Sequence, residues 1–282
     1  MATKSWIGTD SGNEGDYSVA ANWSPSGVPV ASDDVIFPAG VSQSVTDGLD
    51  QSSVALGNFI VEDGYSGTLG TSAAYLQIDA DSIRFDGSGV SYIDTGSAAV
   101  DWDITGTATA TSGSQGLYIK GTGIDDLSIK SGTVGVAVLP GESATVTDAR
   151  VLGGKFTTGA GVTLTTLEAS AGTTTNKANV STVKVFGGTV NSDVVGQSAS
   201  AATTLYSFGG TYNLNGSGNI TTLHLSGGTV DTTSSGISRT VAYIYFSSGT
   251  LKADPNVFSV LISANLGPSN TADRQPITLK VS

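Results

Sequence analysis

The chain has 282 residues, and its 24 Asp and Glu against 12 Lys and Arg leave a formal net charge of −12, which disfavours nucleic acid and anionic membrane surfaces, since both require a basic patch. It has no cysteine, so no disulfide framework and no thiol chemistry, and no run of about 18 apolar residues to cross a membrane as a helix. Its 38 glycines, about twice the usual share of about 7%, accompany 38% apolar residues, a mixture that suits many short strands and tight turns around a buried core.

Residues 1–40 differ in character from the rest of the chain. They hold Trp6 and Trp23, two of the three tryptophans, together with Phe37. Large rings next to a stack of strands are expected to cap its open end, where unpaired edges invite association. Trp6, Trp23 and Phe37 are also candidates for contact with a partner. The stretch Asp10–Asp16 (DSGNEGD) crowds Asp10, Asn13, Glu14 and Asp16 around glycines. Ca²⁺ takes six to eight such oxygens, but no carboxylate falls at the twelfth place of an EF-hand loop, so a solvated acidic turn is the expectation. Asp33 and Asp34 are placed to cap a turn.

Residues 41–126 give apolar pairs two apart: Val54 and Leu56, Leu76 and Ile78, Ile83 and Phe85, Val100, Trp102 and Ile104, Leu117 and Ile119. Spacing of two puts both side chains on one face of a strand. These are irregular early coils. Asp79 and Asp81 share a strand face and lie within the reach of a paired-carboxylate glycosidase, whereas Asp125 and Asp126, being adjacent, are expected to face opposite ways. Neither pair is accompanied by the aromatics of a sugar groove.

From Leu127 to Leu251 one short phrase recurs: apolar, polar, apolar, any residue, Gly or Ser, Gly, Thr, apolar. The copies are LSIKSGTV (127–134), ARVLGGKF (149–156), LEASAGTT (167–174), VKVFGGTV (183–190), LYSFGGTY (205–212), LHLSGGTV (223–230) and IYFSSGTL (244–251). Their second glycines, at 132, 154, 172, 188, 210, 228 and 249, step by 22, 18, 16, 22, 18 and 21 residues. A strand-like period of about 20 residues predicts a stacked β-solenoid. Each coil is too short to bury its own apolar face, and stacking at about 4.8 Å makes one continuous core. With the early coils included, about ten to twelve coils are expected.

The residue between the two inward ones forms an outward column: Ser128, Arg150, Glu168, Lys184, Tyr206, His224 and Tyr245. Arg150, Glu168 and Lys184 alternate in sign, as in an exposed ion-pair ladder. Tyr206, His224 and Tyr245 set three rings in a row, suited to binding a sugar or packing on a second subunit, or else forming an ordinary, partly covered surface ladder. His224 is the only histidine, which excludes a His-based catalytic dyad and a multi-His metal site. There is no nucleophile elbow, phosphate loop or dinucleotide fingerprint in a strand–helix context, so no cofactor is expected.

No helix is predicted. The segment 196–203 (GQSASAAT) reads as a loop between coils, and past Leu251 the pattern fades through Val257, Val260 and Ile262. The expected organisation is a cap over 1–40, a solenoid over 41–262 and a tail over 263–282, whose short strand Ile277–Val281 caps the last coil or reaches a neighbouring subunit.

The phrase W-x-G…G-D-Y-S-x-A-x-N-W-S-P…G-x-P…D-D-V-I-F-P, over Trp6–Pro38, resembles the opening of a group of β-helical repeat proteins. These occur as bacterial autotransporter-like repeat proteins and as structural proteins of bacteriophage particles. The resemblance implies an all-β chain folded as a single-stranded, right-handed parallel β-helix with an N-terminal, tryptophan-containing cap. The bacterial surface members normally carry a signal peptide and a membrane-anchoring barrel, and this chain departs from both. What the resemblance then implies is a non-catalytic protein made in the host cytoplasm and placed on the virion. It would decorate or stabilise the capsid by contact with the capsid protein, often as a trimer. A tail spike or adhesin binding a glycan is the alternative, and a polysaccharide lyase or hydrolase is a third, since β-helices carry enzymes too.

Overall fold

The computed structural model describes residues 2–108, 114–194, 200–233, 239–253 and 258–265. Among these the regular structure is β, apart from one short 3-10 turn at Ala20–Asn22. The strands stack in parallel as a β-solenoid of about 10 turns, the architecture the repeat predicts. By contact the chain forms two compact units, residues 1–149 with 153–162, and residues 150–152 with 163–282.

One coil of the second unit shows how the sequence builds it. In the strand Asn179–Val185, Val180, Val183 and Val185 are buried. The chain turns through Phe186–Gly188 and resumes as Thr189–Ser192, with Val190 inside. Gly188 has φ +68°, a left-handed conformation open to glycine at no steric cost. The equivalent glycines 172, 210, 228 and 249 are also at positive φ. Each turn rests on the one before: Thr189 N–H donates to Gly172 O, Thr211 to Gly188 O and Thr229 to Gly210 O. A Cβ on Gly210 would lie 2.6 Å from backbone atoms of Gly187 and Gly188, so coil-on-coil stacking itself demands glycine there.

Val180 and Val183 are three residues apart, yet both are buried. The alternation slips because Ser181 and Thr182 both face outward at a corner. The same corner falls at Thr165–Thr166, Thr203–Thr204 and Thr221–Thr222. Each coil thus has three straight runs: before the corner, from corner to glycine turn, and after the turn. In the first unit Asp125 and Asp126 occupy such a corner between buried Ile124 and Leu127. Both point outward, which corrects the expectation that they face opposite ways.

In the first unit the strands β1 (Thr3–Trp6), β2 (Trp23–Ser24), β3 (Asp34–Phe37) and β4 (Asp50–Val61) form its beginning. β1 pairs in parallel with β3, and β3 with β4, so coil stacking already begins within residues 1–40. The edge of β1 is closed by the antiparallel β2, with Trp6 opposite Trp23. That pairing occupies the open backbone groups an edge strand would otherwise present. The register then runs Ile36, Ile60, Arg84, Asp103, Ser128 along successive coils.

Of the segment 196–203, residues 200–203 open the strand Ser200–Ser207 rather than forming a loop; 195–199 lie outside the described residues. The tail from 266 onward, with the expected strand Ile277–Val281, also lies outside them.

Candidate functional site: a stacked aromatic strip

Because the inward places of the second unit are filled by Val183, Leu205, Leu223 and Ile244 in register, the next residue of each coil faces out in register too. Glu168 stands opposite Lys184, Lys184 opposite Tyr206, Tyr206 opposite His224 and His224 opposite Tyr245. The expected column exists from Glu168 to Tyr245. At its charged end Glu168 lies 2.6 Å from Lys184 Nζ and 4.0 Å from Arg150 Nε. Solvent-exposed pairs of this kind contribute about 0–1 kcal/mol each.

At its aromatic end the rings lie face to face. The Tyr206 and His224 centroids are 4.6 Å apart at 14°, and those of His224 and Tyr245 are 4.5 Å apart at 7°. Burial between its neighbours lowers the His224 pKa below the ordinary histidine value, which favours the neutral imidazole.

A second column runs beside the first. Phe186 and Phe208 stack at 5.0 Å and 10°, and Phe208 is nearly parallel to Tyr206, at 6.2 Å and 3°. Tyr206 and Phe208 flank buried Ser207, so both leave the same face of the strand. Phe186 is 49% exposed, Phe208 47% and Tyr245 40%. Sequence reasoning passes over the two phenylalanines because their place in the repeat, before the glycine pair, reads as unconstrained. The signal that could have found them is the recurrence of Leu152, Phe186 and Phe208 at that one offset.

This geometry decides what the strip can touch. His224 is covered by a ring on both faces, and Phe186, Tyr206, Phe208 and Tyr245 each stack on a neighbouring ring through one face. A sugar that stacks on an aromatic face finds the faces between stacked rings occupied. Ring edges carry the positive side of the aromatic quadrupole, so they are complementary to aromatic faces and carbonyl oxygens.

The other three candidates lie elsewhere. Trp6 and Phe37 are 0% exposed and Trp23 is 1% exposed. Trp6 packs on Trp23 at 5.1 Å, Trp23 on Tyr17 at 4.7 Å, and Phe37 on Phe59 at 5.2 Å. The indole N–H groups donate to Gln43 O and Tyr17 O. These rings fill the first coils and offer no surface to a partner, which corrects their candidacy as contact residues.

The Asp10–Asp16 turn is organised around buried Asn22. The Asn22 side chain accepts from Asp10 N–H and donates to the carbonyls of Asn13 and Asp16. Asp10 accepts from Asn13 and Asp16 from Ser18. No group of three or more acidic, His or Cys side chains able to hold a metal occurs among the described residues. Asp33 caps as expected, accepting from Ala2 N–H at 2.7 Å and Val30 N–H at 3.2 Å. Asp79 and Asp81 both face outward on the strand Leu76–Phe85, on either side of buried Ala80.

No family model, curated protein or solved structure matches this chain.

Proposed function

We propose that the chain is a non-catalytic structural protein of a phage particle, which decorates or stabilises the capsid and docks on protein through Phe186, Tyr206, Phe208, His224 and Tyr245. The observation that carries this reading is the strip itself: two adjacent columns of parallel rings, with Phe186, Phe208 and Tyr245 40–49% exposed and Tyr206 and His224 partly covered, on an otherwise polar and acidic chain. Contiguous exposed apolar surface of this kind is characteristic of interaction sites, and aromatic anchors dominate binding energy at protein interfaces. The coils hold the rings in one rotameric arrangement, so little side-chain freedom is lost on docking.

The particle as setting rests on the resemblance of Trp6–Pro38 to virion β-helical proteins. Docking on the capsid protein accounts for a rigid strip that presents ring edges. Assembly as a trimer would bring copies of the strip around a three-fold axis, with the charged end at Glu168 and Lys184 fixing the register.

The test is imaging of particles purified from a producing culture, with the wild-type chain and with Phe208→Ser. Regular density at lattice positions, reduced at least tenfold in the variant, is the expected result. Absence of the chain from particles would overturn the virion reading. Full occupancy by the variant would overturn the role of the strip.

A further inference from the structure

The first unit carries a cleft of about 460 Å³ that the strip does not use. Its walls come from two sides. Asp94 and Lys120 stand opposite each other in the parallel register of the strands Ser91–Asp94 and Leu117–Ile129, and Gly96, Gly121 and Thr122 continue that wall. The loop Pro140–Ser143 supplies the other. It is launched from Ala137, a buried non-glycine residue at φ +46°. A side chain in that region costs about 1–3 kcal/mol and is held there only by its surroundings. Here Ile119 O receives the Ala137 N–H, and the Leu139 N–H donates to Glu142 Oε2 at 3.0 Å.

The polar groups of this cleft are positioned by the protein. Asp94 accepts from Gly96 N–H at 2.8 Å with one oxygen and lies 3.4 Å from Lys120 Nζ with the other. The ammonium also sits 4.4 Å above the ring of Tyr75. Tyr75 is 6% exposed, and its hydroxyl finds no regular hydrogen bond. Burial, and then the Glu142 carboxylate beside it, push that hydroxyl above the ordinary tyrosine range, so it remains a neutral donor. Tyr92 and Tyr118 stack at 4.5 Å behind it and fix the ring.

We infer that this cleft binds a neutral saccharide. Two carboxylates against one ammonium give it a net negative charge, which disfavours phosphate, sulfate and carboxylate ligands. Two acidic groups are fewer than a hard cation requires. What remains is a cleft lined by acceptors (Asp94, Glu142) and donors (Lys120, and the hydroxyls of Ser143 and of Thr122, which also donates to Gly96 O at 3.2 Å). Neighbouring hydroxyls of a sugar ring are donors and acceptors at once and match such a lining. A volume of this size lies within the usual range for small-ligand sites, about 300–1,000 Å³. The space beside Gly96 and Gly141 at the rim is open, for a Cβ on either would meet nothing within 4 Å.

The experiment is ligand-observed saturation-transfer NMR on the full chain. The probes are the methyl glycosides of glucose, galactose, mannose and N-acetylglucosamine, and linear tetrasaccharides of the same sugars, with inorganic phosphate as the anionic comparison. Saturation is expected to reach at least one sugar. Glu142→Gln and Lys120→Ala are each expected to weaken binding about tenfold, which is about 1.4 kcal/mol. Asp81→Asn, on an earlier strand, should leave it unchanged. Transfer to tetrasaccharides alone would assign the cleft to a stretch of polymer, and transfer to monosaccharides as well to a free sugar or a chain end. Absence of transfer to every sugar, undiminished transfer in both Glu142→Gln and Lys120→Ala, or preferential binding of phosphate would overturn the assignment. Should either variant lose its cooperative melt, Thr122→Val replaces it with the same expectation. The outcome is independent of docking by the strip, which Phe208→Ser tests alone.

Discussion

In the first unit the large rings point inward, and in the second most of them point out. Trp6, Tyr17, Trp23, Phe37, Phe59, Tyr65, Phe85 and Trp102 are all buried in the first unit. In the second, Tyr212 is the large ring at 0% exposure, while Phe186, Phe208 and Tyr245 are 40–49% exposed. Coil length explains the inner half of this contrast. Equivalent positions Ile36, Ile60, Arg84, Asp103 and Ser128 are separated by 24, 24, 19 and 25 residues, whereas the repeats behind Gly172 advance by 16, 22, 18 and 21. Longer, irregular coils enclose space that aliphatic side chains leave partly empty, and interiors pack to crystal-like density. Shorter, regular coils are filled by Val, Leu and Ile in register. The core of the second unit therefore makes no demand for rings on its surface.

The sharpest way to break this comparison is to truncate one ring on each side of it. Trp23→Ala should cost about 3–5 kcal/mol in chemical denaturation, because it empties a site bounded by Trp6, Tyr17 and Phe37 and leaves Tyr17 O without its indole donor. Phe208→Ala should stay within about 0.5 kcal/mol of wild type, as exposed positions do. Equal losses would mean that the outer rings serve the fold after all.

A second, smaller effect separates two kinds of glycine. Gly210→Ala places a Cβ 2.6 Å from backbone of the preceding coil in addition to its strained φ of +64°, and should cost about 1–3 kcal/mol or more. Gly12→Ala, at φ +92° in the acidic turn with nothing within 4 Å, incurs the backbone strain alone and should be the milder of the two. Thermal melts of the pair measure the difference, and equal shifts would show that the stacked turn tolerates a Cβ.

The role of the outer rings is sharpened by variants that leave stability alone. Phe186→Ser and Tyr245→Ser should melt with the wild type yet reduce association with particles at least tenfold, read by co-sedimentation. Asp79→Asn should change neither the melt nor the association.

These contrasts show which parts of the molecule the sequence discloses. The glycine turns were legible because every coil must reach positive φ at the same offset, and the inward pairs because a strand repeats every two residues. The corners were not: Ser181–Thr182 and Thr221–Thr222 look like one more polar step, yet they shift the next residues by one and preserve the inward faces. The Tyr206–His224–Tyr245 column followed from the repeat, but the face-to-face stacking of its rings required the actual register. Phe186 and Phe208 sat at a place where any residue is sterically allowed, so the fold gave no reason to notice them. Trp6, Trp23 and Phe37 are plainly large in the sequence, while their direction depends on β2 folding back on β1. The cleft is least legible, since Asp94 and Lys120 are joined by the register of two strands far apart in sequence and Glu142 reaches the same cleft only through the loop after Ala137.

The smallest expected effect is on pH dependence, and it distinguishes the units by where each begins to weaken in acid. In the first unit, the Ala2 N–H holds the Asp33 carboxylate below its ordinary value, with further support from Val30 N–H and Lys4 against an opposing effect of burial. A depressed carboxylate stabilises the fold above its unfolded pKa of 3.8, and that stability is lost as the pH falls through the lower folded value. In the second unit, burial lowers His224 below 6.5. The unfolded chain then takes up the proton first, so stability is complete above about pH 6.5 and declines as the pH falls from there through the folded value. Local opening of the two units, followed by amide hydrogen exchange between pH 7.5 and 3, should therefore show the coils around Leu223 loosening at a higher pH than those around Val35. His224→Phe should remove the earlier transition and Asp33→Asn the later one. Coincident transitions in the wild type, or an earlier transition that survives in His224→Phe, would show that the imidazole between its two tyrosines is not what weakens the strip in acid.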